Sequence, residues 1–109
     1  MSKLVTDAGI IIEARGNTLY ISNIPNNEDY KYGVFSLKRA WEKLENQTFP
    51  EGVWKDVKDG KATYTLVDRG EGEHEVFISF TKEKKACPKY TMTHVFSISI
   101  DSDGDVEII

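Results

Sequence analysis

The chain has 109 residues, of which 39% are hydrophobic and 29% charged, and a formal net charge of −4. This length reads as one domain, 1–109, and the composition excludes a disordered tail. The negative balance disfavours direct nucleic-acid binding across the surface, because phosphate-coating proteins carry surplus Lys and Arg. The single cysteine, Cys87, excludes an internal disulfide and with it a secreted disulfide scaffold. No apolar run approaches the ~20 residues of a membrane span. Ile10-Ile11-Ile12 is too short and too far along for a signal peptide. The expected location is the cytoplasm, with no membrane partner.

In chain order, Gly9 to Glu13 and Thr18 to Ser22 flank the turn signal Arg15-Gly16-Asn17, an N-terminal β-hairpin. Ile24 to Asp29 is loop chemistry, with Pro25 fixing φ and Asn26, Asn27 and Asp29 favouring turns. Ser36 then reads as a helix cap. Leu37, Ala40, Trp41 and Leu44 fall at i, i+3, i+4 and i+7, a single apolar stripe ended by Asn46, Gln47 and Pro50. Val53 to Val57 reads as a strand, and Lys58-Asp59-Gly60-Lys61 as a tight turn. Longer alternating strands follow, with Ala62, Tyr64 and Leu66, then Val76, Ile78 and Phe80, then Met92, His94, Phe96, Ile98 and Ile100 on one apolar face. Val106 and Ile108 continue that face after the turn at Asp101-Ser102-Asp103-Gly104-Asp105. The expected fold is α+β: the N-terminal hairpin, one amphipathic helix, and a four- to five-stranded antiparallel meander with the helix packed on one face.

Alternate turns of a meander share an end of the sheet. The reading therefore gathers Asp68, Glu71, Glu73, Glu75, Asp101, Asp103 and Asp105 at one end, opposed only by Arg69. Lys82, Lys84, Lys85 and Lys89 fall at the other end with the Lys58 to Lys61 turn, making the molecule an electrostatic dipole. The basic loop offers only Tyr90 as a nearby stacking platform.

Candidate chemistry is sparse. The Asp101 to Asp105 turn alternates carboxylates as calcium loops do, but Gly104 stands at position 4 of the frame where such a loop needs its glycine at 6. Gly70 and Gly72 precede a strand, so their backbone N–H groups have no helix start from which to cradle a phosphate. Cys87 and His94 lack an orienting third group, and His94 falls on the apolar face. Two His and one Cys far apart make no zinc signature. No catalytic residue, metal or cofactor is assigned. The aromatic segment Tyr30, Tyr32 and Phe35, with Trp54, is the second candidate interface, or else a seal on the core.

The function these features suggest is a small acidic non-enzymatic binder: an inhibitor or antagonist of a larger protein, of the immunity-protein or phage anti-defence (anti-CRISPR) kind. Its acidic surface would mimic nucleic acid before a nucleic-acid enzyme or toxin. One alternative is a structural or assembly subunit that pairs copies through the terminal strand Val106 to Ile109. Another is a small enzyme or ligand carrier with a pocket between helix and sheet near Tyr64 and His94.

Overall fold

A computed structural model describes residues 2–39, 52–66, 69–84 and 93–109. Nine strands dominate them: Ser2–Val5 (β1), Ile11–Arg15 (β2), Thr18–Ser22 (β3), Tyr32–Arg39 (β4), Val53–Asp56 (β5), Ala62–Thr65 (β6), Gly72–Thr81 (β7), Thr93–Ile100 (β8) and Val106–Ile108 (β9). They form two antiparallel sheets, one ordered β1-β2-β3-β6 and the other β5-β4-β7-β8-β9. The only helical element among the described residues is a 3-10 turn at Glu28–Tyr30.

The α+β expectation is therefore corrected to an all-β sandwich, and no amphipathic helix is found among the described residues. Ser36 to Arg39, the expected first turn, is the second half of β4; Ala40, Trp41 and Leu44 lie outside the described residues. Two periodicities overlap here. Gly33, Phe35, Leu37 and Arg39 also alternate with Val34, Ser36 and Lys38, and β-branched and aromatic residues favour the pleat. An eight-residue ladder from Tyr32↔Thr81 to Arg39↔His74 completes the strand. Partners far away in sequence thus override local helix propensity.

The expected hairpin is present as β2 and β3, with Arg15 opposite Thr18. The meander is shorter than expected. It comprises β7, β8 and β9, while β6 belongs to the other sheet and β4 occupies the flank of β7. The short β1 carries too little alternation to be read from sequence.

One face of each sheet looks inward. Leu4, Ile12, Ala14, Leu19, Ile21, Ala62 and Tyr64 face Phe35, Val76, Ile78, Phe80, Phe96, Ile98, Ile100 and Val106 in one apolar cluster. Each fully buried Ile or Phe contributes roughly 1.5–3 kcal/mol. The two sheets also meet along β9. Its N–H groups that point away from β8 are both used: Val106 donates to Gly16 O at 2.8 Å and Ile108 to Ser2 Oγ at 2.6 Å.

Candidate functional site

Pairing of Gly72 with Ile100 sets the residues before β7 beside the turn after β8. Glu71, Glu73, Glu75, Asp101, Asp103 and Asp105 therefore do share one end; Asp68 lies outside the described residues. The turn itself is ordered by its first residue. Asp101 Oδ1 accepts from the backbone N–H of Asp103 at 2.9 Å and of Asp105 at 3.0 Å. Backbone bonds Gly104 N to Asp101 O and Asp101 N to Asp105 O close it, each 3.0 Å. Gly104 takes φ +86°, a left-handed conformation that costs a side chain but not glycine. Asp101 is thus committed to the loop, while Asp103 and Asp105 point their charges to solvent. On the outer face of the larger sheet, Ser99 pairs with Glu73 on one side and Glu107 on the other, so two exposed carboxylates flank one hydroxyl.

The acidic end is not opposed by Arg69 alone, as the helical reading of 36–45 implied. Because Ser36 to Arg39 is strand, Lys38 and Arg39 are carried there too. Lys38 Nζ bonds Glu75 Oε1 at 2.9 Å. Arg39 lies opposite His74 on the inward face, at the mouth between the sheets, where β5 no longer covers β4. Its Nη1 donates to Glu71 O at 3.4 Å, and Arg69 Nη2 donates to Tyr64 Oη at 3.3 Å. His74 is 2% exposed and Nε2 lies 3.1 Å from Gly70 O. Since that oxygen only accepts, it is Nε2 that donates in this bond. Nδ1 is the buried side-chain polar atom left without a partner among the described residues. Sequence reasoning set His74 between Glu73 and Glu75; the pleat turns those carboxylates to the opposite face. Arg39 was not legible as part of this end, because the signal lies in the β4–β7 pairing.

The opposite end carries Lys82 and Lys84 beside the Lys58 to Lys61 turn, as expected; Lys85, Cys87, Lys89 and Tyr90 lie outside the described residues. That turn is tight, with Lys58 and Lys61 bonded in both directions at 3.1 and 2.9 Å and Asp59 and Gly60 at φ 53° and 71°. The ammonium groups of Lys31 and Lys84 stand 5.6 and 5.2 Å from the Tyr32 ring centre, and Lys84 reaches Asp56 at 3.5 Å. An open cleft of about 210 Å³ lies between the 3-10 turn and the Lys58 to Lys61 turn, walled by Asn26, Glu28, Tyr30, Lys31, Val57 and Asp59. Tyr30, Tyr32 and Trp54 do not share one surface. Tyr30 packs on the core with its ring 5.3 Å from Phe80, whereas Tyr32 and Trp54 align with Val34 on the outer face of the larger sheet. All three are half-buried.

The pieces for catalysis are not assembled among the described residues. His74 and His94 both face inward but belong to ladder steps four residues apart, about 13 Å along the strands. Tyr64 is stacked on Phe35 at 5.0 Å, so the space expected as a pocket there is filled by rings. No group of three His, Cys, Asp or Glu among the described residues is placed to hold a metal ion. No helix among them is long and apolar enough to cross a membrane. Two antiparallel sheets of four and five strands around one core, with an ordered acidic turn at one end, define the architecture. Comparison with known protein families, curated proteins and solved structures finds no match.

Proposed function

We propose that this chain is a small non-enzymatic binding protein that docks its acidic end on a basic surface of a larger protein and so inhibits or antagonises it. The observation that carries the reading is the way the carboxylates are displayed. Asp101 holds the turn by accepting two backbone N–H groups, and Asp103 and Asp105 are exposed on that frame. Glu73 and Glu107 extend the charge across the outer face of the larger sheet. Charges fixed in advance lose little conformational freedom on docking, and a one-signed surface steers a partner of opposite sign. A nucleic-acid enzyme or toxin with a phosphate-binding groove has the required basic surface.

The test compares capture of one partner from native extract by the wild-type chain and by a variant with Asp103→Ser, Asp105→Ser, Glu73→Gln and Glu107→Gln. Asp101 is retained because it shapes the turn. The variant is expected to lose about tenfold or more in affinity, and wild-type binding to fall as salt shortens the Debye length below about 10 Å. Equal capture by both chains would remove the acidic end from the function.

A further inference from the structure

The Gly70-Glu71-Gly72 segment carries cations of its own inside the acidic end. Arg39 reaches it from β4. Its Nη1 bonds Glu71 O at 3.4 Å, and a Cβ built on Gly70 would stand 2.9 Å from its Nη2. Arg69, the residue before Gly70, directs a guanidinium to Tyr64 Oη at 3.3 Å. Gly70 and Gly72 sit at φ +80° and +126°, which L side chains rarely adopt, so the segment stays bare of side chains where the arginine lies against it. His74 anchors it from within through Gly70 O.

Each guanidinium has five N–H donors, yet among the described residues its acceptor is a single carbonyl for Arg39 and a single phenol for Arg69, each across a long bond. No acid among the described residues forms an ion pair with either guanidinium. Among the described residues the ion pairs are Arg15 with Glu13, Lys38 with Glu75 and Lys84 with Asp56. Glu71 meets Arg39 through its carbonyl rather than its carboxylate. Arg39 is held against the Gly70–Gly72 segment by the β4–β7 ladder, and Arg69, which leads into that segment, is exposed.

The geometry points to a small oxyanion site at this mouth, where Arg39 and Arg69 grip a phosphate or carboxylate group over the Gly70–Gly72 segment. Planar guanidinium groups match both oxyanions with paired N–H donors. The donors are side chains, not the backbone amides of a phosphate loop. Glu71 and Glu73 keep the surrounding field negative. Donor geometry, not net charge, then gives selectivity, and the affinity is modest. The site lies within the acidic end but uses the arginines and not the carboxylates, so it does not rest on the proposed docking function.

The test follows amide and arginine side-chain N–H resonances of the ¹⁵N-labelled full chain during titration with sodium phosphate at constant ionic strength, with sodium acetate as a parallel arm. Saturable shifts are expected at Gly70, Glu71, Gly72, Arg39 and Arg69, with half-saturation on the order of millimolar. Arg69→Gln and Arg39→Gln should each weaken them by about fivefold or more. Asp103→Ser with Asp105→Ser should leave them in place, which separates this site from the docking surface. Arg69 is exposed, so R69Q carries the test if R39Q does not fold. Shifts with phosphate alone assign a tetrahedral oxyanion, and shifts in both arms a carboxylate as well. Absence of saturable shifts at this segment in both arms, or shifts unchanged in R69Q, overturns the site.

Discussion

Half-buried on the inward side of β8, His94 presents its ring at 6.2 Å from Phe80 in an edge-on arrangement. Burial lowers its pKa below the ordinary 6.5, and the Asp7 carboxylate opposes that more weakly. The unfolded chain therefore takes up this proton first as the pH falls. The stability contributed by neutral His94 is complete above 6.5 and is lost as the pH falls through that value toward the lowered folded pKa. Urea midpoints measured between about pH 7.5 and 5.5 should fall with acid, less steeply in His94→Gln and more steeply in Asp7→Asn. An unchanged slope in His94→Gln would reject this assignment. The inward position of His94 was legible from its alternation with Phe96, Ile98 and Ile100. The company of Asp7 was not, since it comes from the other end of the chain.

Among elements, β4 is the most instructive. Its apolar spacing admits a helix and a strand, and the ladder with β7 selects the strand. Lys38 lies on the face opposite Arg39 and meets Glu75 directly across the strands. The lysine side chain is 9% exposed and the glutamate 32%. Removing the anion leaves an ammonium largely shut from water, so Glu75→Gln is expected to cost about 1–3 kcal/mol. Lys38→Met combined with Glu75→Gln should cost less than the two changes summed, because the double variant strands no charge. Chemical denaturation of the four proteins closes that cycle, and strict additivity would show that the pair does not couple. A helix over these residues would have pointed Lys38 to solvent. The sequence carried no hint of Glu75 as its partner, because helix periodicity describes neighbours three and four residues away and not strands thirty-seven residues away.

Across the whole molecule, β1 joins the first sheet to the last strand. Ser2 Oγ accepts the Ile108 N–H, and Leu4 and Ile108 pack against the core nearby. Ser2→Ala should cost about 1 kcal/mol, and removal of residues 2–5 should bare the outer edge of β9. Light scattering is then expected to show concentration-dependent association of the shortened chain, and a persistent monomer would show that β1 is dispensable as cover. At this scale the sequence determined that most of the chain is antiparallel strand, which residues of β6, β7 and β8 face inward, and that acidic and lysine-rich turns fall at opposite ends. Those features follow from period-two alternation and turn chemistry, which are local. Only the tertiary structure decided that β4 is a strand, that β6 belongs to the other sheet, and that Arg39 and His74 stand beneath the Gly70–Gly72 segment. Each of these depends on which distant strand a segment pairs with, and backbone hydrogen bonding between strands is nearly indifferent to local sequence until the core has selected the partner.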